Sequence, residues 1–148
     1  GIVPTVRHLV GTGSNFACDR QPPDEIGDYE LAGSPTLVSV DLSQIASLRC
    51  VGAYAFRGCP VLESVVFPRG LEDILEGVLS DCPKLASVDL SACLSLRCVG
   101  EGAFHSCALL ESVAFPSSLE AIDEGVLSRC PKLPHLDLSA CVTLRRIG

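Results

Sequence analysis

The chain has 148 residues, 47% of them apolar, and a formal net charge of −7. An acidic excess opposes the basic surface that phosphate neutralisation requires, so nucleic acids and anionic lipid surfaces are poor partners. No window offers the roughly 18 apolar residues of a membrane-spanning helix, so the sequence predicts no membrane insertion.

Residues 1–34 form the first predicted unit and differ from the rest of the chain. Ile26 and Leu31 fall in frame with Ile74 and Leu79 at a spacing of 48 residues, which predicts a degenerate coil that caps a stack. The stretch 18–28, CDRQPPDEIGD, is polar, contains a double proline and predicts a mobile loop. Since the chain begins with Gly1 and has no methionine, we expect it to be part of a longer protein.

From residue 35 onward the sequence repeats itself. Laying 35–82 over 83–130 gives 31 identities in 48 positions. Each of these units divides again into two coils that share one pattern of apolar positions and end at a cysteine. The predicted coils are 35–59, 60–82, 83–107 and 108–130, followed by a partial coil at 131–148.

Each coil carries the apolar spacing L-x-x-L-x-L-x-x-C, seen for example in Leu85, Val88, Leu90 and Cys93. This spacing is typical of leucine-rich repeats, in which a short strand leads into a return segment. The return segment around Phe104 predicts a tight turn followed by about one helical turn. We therefore predict an α/β fold: a right-handed leucine-rich repeat solenoid with a parallel sheet on one face and short helical turns on the other.

One sequence pattern points to a family. The string V-G-x-x-A-F-x-x-C-x-x-L-x-S-V-x-F-P-x-x-L-x-x-I occurs at 51–74 and again at 99–122, and it resembles the BspA-type leucine-rich repeat. The resemblance covers 35–148 and implies adhesion and protein binding at the surface of bacteria or parasitic protists, without enzymatic activity. The longer coils, with D-L-S-A-C-x-x-L-R, are more similar to the cysteine-containing repeats of intracellular proteins. The location therefore stays open between cell surface and cytoplasm.

The residues that flank the buried strand positions predict the surface for a partner. Because side chains alternate along a strand, these residues must point to the open face of the sheet. They are Ser39, Asp41, Ser64, Val66, Ser87, Asp89, Ser112, Ala114, His135 and Asp137. This surface is small, flat and mildly acidic, and it lacks the Trp, Tyr and Arg anchors that dominate many interfaces. A solvated sheet without a partner is the alternative interpretation.

A second set of positions predicts a structural role. The residue after the last strand-side leucine alternates in charge from coil to coil, as Arg49, Glu72, Arg97, Glu120 and Arg145. If the coils stack in register, each arginine lies beside a glutamate of the next coil. Such an ion-pair ladder contributes about 0.2 to 1 kcal/mol per pair, and we interpret it as a register device.

The cysteines are predicted to be structural. Cys59, Cys82, Cys107 and Cys130 close successive coils, and their parallel Cβ vectors suit disulfides badly, so we expect buried free thiols. The sequence has no histidine or cysteine pair at metal-ligand spacing, and the strand-face aspartates are too far apart to share a calcium ion. Because it also contains no catalytic motif, we predict no catalytic residue, no metal and no cofactor.

The first functional hypothesis is a non-catalytic protein-binding module for adhesion or interaction, with a protein partner whose identity stays open. An intracellular scaffold component within a larger assembly is the alternative, for which the free cysteines and the missing export signal argue. A third is the recognition part of a longer enzyme. The sequence stops within a coil, so we also expect either a longer parent chain or self-association through the uncapped strand at 135–138.

Overall fold

The computed structural model describes residues 25–148, which form ten short strands. The strands are β1 (Glu25–Ile26), β2 (Ser39–Asp41), β3 (Cys50–Val51), β4 (Ser64–Val66), β5 (Asp73–Ile74), β6 (Ser87–Asp89), β7 (Cys98–Val99), β8 (Ser112–Ala114), β9 (Ala121–Ile122) and β10 (Arg146–Ile147). Most coils contribute one three-residue strand and one two-residue strand.

The two-residue strands assemble into a single parallel sheet of six strands, in the order β1-β3-β5-β7-β9-β10. Its register places equivalent residues of successive coils side by side, so Val51 pairs with Ile26 on one side and Ile74 on the other. The three-residue strands pair in parallel as β2 with β4 and β6 with β8. Neighbours in each ladder belong to successive coils, so the chain is a solenoid of stacked parallel strands.

The predicted helical turns are wrong, because residues 25–148 contain no helix. The return segment consists of hydrogen-bonded turns instead, and it uses its N–H groups in two directions. Those of Tyr54, Phe56 and Gly58 donate to carbonyls of the next coil at 2.8–2.9 Å. Those of Ala55 and Arg57 donate within their own coil to the carbonyl three residues earlier, at 3.3 and 3.1 Å. A helix would need all these donors for itself, so the α/β class gives way to an all-strand solenoid.

Two residues with left-handed backbone angles in each complete turn are a second reason why the return segments form no helix. Tyr54 has φ 58° and Gly58 has φ 68°, and the same two positions have positive φ in every coil from residue 29 to residue 129. A right-handed helix cannot continue through such residues. Over the described part of the chain, no helix is therefore long and apolar enough to cross a membrane.

The core is filled from both sides of each coil. The central residues of three of the three-residue strands, Val40, Val65 and Val88, are buried, and Val113 of β8 is partly buried. From the opposite side, Phe56 and Phe104 reach the interior and are 0% exposed. Burying such side chains is favourable by about 1.5 to 3 kcal/mol each, but only stacked neighbours can cover them.

The two ends differ from the middle. The expected last strand at 135–138 makes no strand pairing, although Leu136 and Leu138 pack partly buried against the core. At the other end, Ile26 is 3% exposed in β1, and Leu31 packs on the same core. Most of the predicted mobile loop, residues 18–24, lies outside the described residues, as does the rest of the segment 1–24.

Candidate functional site

The outward residues of the three-residue strands lie in register and form one continuous row on each strand pair. Ser39 faces Ser64 and Asp41 faces Val66 between β2 and β4. The pair β6 and β8 repeats this with Ser87 beside Ser112 and Asp89 beside Ala114. His135 and Asp137 are exposed on the partial coil but belong to no strand. We call these ten residues the strand face.

The strand face is open to solvent and chemically plain. Ser64, Ser87, Ser112 and Ala114 are exposed, and Val66 has 49% of its surface accessible. Such a row offers small hydroxyl and methyl groups to a flat partner.

The aspartates of the strand face accept hydrogen bonds from the backbone of the turns that follow them. Asp41, Asp89 and Asp137 each accept a hydrogen bond at 2.9 Å from the N–H two residues later. The side chain and then the backbone of Ser91 lower the pKa of Asp89, and Ser139 does the same to the pKa of Asp137. Each carboxylate thus closes the turn that directly follows it, a role that the recurring D-L-S sequence signals.

The alternating charges of the ladder positions meet in two places. Arg49 Nε lies 3.7 Å from Glu72 Oε1, and Arg97 Nε lies 3.5 Å from Glu120 Oε1. Arg145 contacts the same column through its backbone, since its N–H donates to the Glu120 carbonyl at 2.8 Å. The side chains of both pairs are 42–68% exposed, so their contribution to stability is small.

A shallow depression of about 470 Å³ lies over the two-residue strands next to this column. It is lined by Glu72, Asp73, Arg97, Cys98, Glu120, Ala121, Arg145 and Arg146. Burial, then the charges of Asp123 and Asp73, raise the pKa of the Cys98 thiol, which keeps it neutral and a poor nucleophile. Arg146 is held by an ion pair with Asp123. In residues 26–148, no three histidine, cysteine or acidic side chains come together as a metal site.

The coil-closing thiols are buried, as the sequence predicts. Cys59, Cys82, Cys107 and Cys130 are at most 9% exposed. Each thiol donates to a carbonyl of the preceding coil, at Leu31, Phe56, Leu79 and Phe104 respectively, over 3.2–3.3 Å. The thiols therefore act as small apolar groups that also satisfy a turn carbonyl.

Sequence reasoning missed one cluster, on the turns. Tyr29 and Tyr54 stack with ring centroids 5.0 Å apart and planes 18° from parallel. The Arg57 guanidinium lies over the Tyr54 ring, 5.4 Å from its centroid, and its Nε pairs with Asp81 at 3.2 Å. The Tyr54 hydroxyl donates to Glu76. The spacing of 25 residues between the tyrosines, equal to one coil, is the signal that would have revealed the pair.

Stacked coils, paired parallel ladders and a buried leucine core define a leucine-rich repeat solenoid. The sequence profile of the BspA type leucine-rich repeat region matches six times over residues 24–148. The chain belongs to the BspA-type leucine-rich repeat family. Repeats of this class are generally modules for protein interaction and are typically not enzymes.

Solved structures of bacterial proteins share the fold. A leucine-rich cell surface protein of Faecalibacterium prausnitzii is 27% identical, with a TM-score of 0.66 over 84% of this chain and 29% of that chain. A leucine-rich repeat protein of T. pallidum is 28% identical, with a TM-score of 0.71 over 88% of this chain and 64% of that chain. The pneumococcal vaccine antigen PcpA is 20% identical, with a TM-score of 0.65 over 84% of this chain and 32% of that chain. At this identity the likeness shows the fold alone. The chain thus spans less than two thirds of these proteins, and no curated protein sequence matches it.

Proposed function

We propose that the chain is a non-catalytic protein-binding module of an adhesion or interaction protein, and that the partner contacts the strand face. The supporting observation is the register of that face, in which the outward side chains of paired coils lie side by side, on β2 with β4 and on β6 with β8. Rigid rows of this kind reduce the entropy lost on binding. The likeness to a leucine-rich cell surface protein favours the cell surface as the setting.

The test is affinity capture from the native surface and lysate fractions, with purified chain as bait. The strand-face variant changes Ser64, Ser87 and Ser112 to Lys, because these serines are exposed and lie on two different strand pairs. The aspartates are left intact, since their loss would open the turns that they close. The matched control changes Gln44, Ser95 and Ala108 to Lys, which adds the same charge at exposed loop positions.

Loss of a captured protein with the strand-face variant, and its retention with the control, supports the proposal. Equal capture by wild type and both variants excludes the strand face as the binding surface. Equal loss with both variants points to net charge as the cause and also rejects the assignment of this face.

A scaffold component within a larger intracellular assembly is the second candidate. The observation that favours it is the set of unbridged thiols, which donate to backbone carbonyls and suit a reducing compartment. Alkylation of the native protein under denaturing conditions distinguishes the two settings. Quantitative labelling of all cysteines supports the scaffold setting, whereas blocked cysteines that become reactive only after reduction argue against it.

A further inference from the structure

Both tyrosines of the chain occupy a backbone conformation that suits glycine. Tyr29 has φ 55° and Tyr54 has φ 58°, and the equivalent positions of later coils are Gly77, Gly102 and Gly125. A side chain in the left-handed region is unfavourable, and such strain persists where the surroundings impose it, often at binding sites. Stacking of the two rings offsets part of that cost. It does not explain why Tyr29 leaves 55% of its surface exposed.

One ring of the cluster, that of Tyr54, already binds the guanidinium of an arginine from the same chain. Arg57 lies over the Tyr54 ring and is held at its far side by Asp81, so an aromatic face and a carboxylate together hold a guanidinium. One coil earlier, 25 residues before Arg57, the corresponding residue is Ala32. A methyl group cannot reach the ring as a guanidinium does. Among residues 25–148, Tyr29 therefore has no arginine over its ring that corresponds to Arg57 over Tyr54.

The charges around the two rings favour a cation as the missing group. Asp28 and Glu30 flank Tyr29 in the chain, Glu76 accepts from the Tyr54 hydroxyl, and Asp81 pairs with Arg57, so four carboxylates and one guanidinium belong to this cluster. The hydrogen bond to Glu76 and then burial raise the pKa of Tyr54 to about 12, in agreement with an acidic surrounding. The whole chain is acidic as well, at a formal charge of −7. A positively charged segment is attracted over a distance, and an aromatic face then holds its side chain.

We propose that the exposed face of Tyr29, supported by Tyr54 and the surrounding carboxylates, docks an arginine side chain of a basic segment in a partner protein. This tyrosine site lies on the turns and not on the strand face. It shares with the proposed function only the premise that the partner is a protein. Arginine is preferred over lysine because its planar guanidinium stacks on the ring while its N–H groups reach the carboxylates.

Intrinsic fluorescence tests the proposal directly. The chain has two tyrosines and no tryptophan, so its ultraviolet emission reports this site alone. The probe is a synthetic Gly/Ser peptide with arginine at alternate positions, and the control peptide has glutamine there. We expect a saturable change in tyrosine emission with the arginine peptide, weakened by added salt, and no such change with the glutamine peptide.

Two variants connect the signal to Tyr29. Tyr29→Gly keeps the backbone conformation that later coils fill with glycine, and it should weaken the arginine peptide about 3- to 30-fold while Tyr54 still reports binding. Ala32→Arg copies the arrangement of the next coil, so its own guanidinium should occupy the ring and block the peptide. Circular dichroism checks that both variants are folded.

An equal response to both peptides overturns the proposal, as does unchanged affinity in folded Tyr29→Gly and Ala32→Arg. These results are separate from the capture experiment. If the strand-face variant captures the partner as well as wild type does, while the arginine peptide still changes the tyrosine emission, only the strand-face proposal is rejected. If capture depends on the strand face but the arginine peptide gives no specific response, only the tyrosine site is rejected.

Discussion

Two glycines in one turn should lose stability to different degrees, and for different reasons, when each is changed to alanine. A Cβ added to Gly100 would lie 2.7 Å from the backbone carbon of Leu75 and 2.8 Å from the backbone nitrogen of Glu76. A Cβ added to Gly102 would meet only the His105 side chain, at an ordinary 3.6 Å. Gly102 is instead defined by its conformation, with φ 60°. Gly100 is needed for its size, and Gly102 for its backbone angle.

The magnitudes follow from these two causes. In Gly100→Ala the clash is with backbone, which no rotamer change relieves, so the coils must separate and the free energy of unfolding should fall by about 2 to 3 kcal/mol. In Gly102→Ala the left-handed backbone costs about 1 to 2 kcal/mol, and the stiffer unfolded chain returns about 0.4 to 1 kcal/mol. The net loss for Gly102→Ala should therefore not exceed about 1.6 kcal/mol.

Urea unfolding followed by far-ultraviolet circular dichroism measures both values, and asparagine at the same positions sharpens the comparison. Asparagine tolerates the left-handed region, so Gly102→Asn should be milder than Gly102→Ala. Gly100→Asn should be worse than Gly100→Ala, because its larger side chain meets the same backbone. Equal losses at the two glycines, or a rescue of position 100 by asparagine, would refute this reasoning.

Three further predictions concern the core, the ladder and the thiols. Phe104→Ala removes a side chain that is 0% exposed and should cost about 3 to 5 kcal/mol in urea unfolding, whereas Leu94→Ala, at 65% exposure, should cost under about 0.5 kcal/mol. A double-mutant cycle of Arg97→Gln and Glu120→Gln should give a coupling below about 1 kcal/mol, since both side chains are largely exposed; a larger value would show a stronger ladder. Burial raises the pKa of Cys93, so its neutral form stabilises the fold below the ordinary thiol pKa of about 8.5, and stability should decline as pH rises above it. Cys93→Ala should flatten that decline, and a rise in stability between about pH 8 and pH 10 would contradict the assignment.

The repeat could be predicted because a solenoid needs the same apolar side chains at the same place in every coil. Val88 and Leu90 had to be buried, and the alternation along a strand then fixed which residues face outward. The family also followed, since the V-G-x-x-A-F-x-x-C string gives the order of strand, turn and closing thiol. Such features depend on periodicity, which one sequence displays in full.

The turns could not be predicted, because their hydrogen bonds run between coils. The segment from Gly100 to Cys107 has the composition of a helical turn, yet its alternate N–H groups donate to the next coil. The positive φ angles of Tyr29 and Tyr54 also could not be predicted, because tyrosine, unlike glycine, gives no sign of a left-handed backbone. The two-residue strands were missed for a similar reason, because a strand of that length has no alternation to detect.

The candidate sites divide along the same line. The strand face follows from alternation, whereas the local task of Asp89 depends on a hydrogen bond to Ser91 that only the folded turn reveals. The tyrosine site depends on the ring of one coil reaching the ring of the next. Contacts between coils therefore determine which rings and which carboxylates lie together at this site.

The hydrogen bonds between coils also support the proposal that the strand face, although it lacks large side chains, binds a protein partner. Alternate N–H groups of each turn donate to the following coil, and each closing thiol donates to the preceding coil, so a coil is bonded on both sides. A partner that meets several coils then loses little free energy to ordering them. Under the proposed function, the small side chains of the strand face would let a flat partner approach the strands closely, whereas the proposed arginine site lies on the turns and would bind a separate segment. A basic partner segment that crosses several coils would gain from the rigidity of the whole stack while placing its arginine at one point.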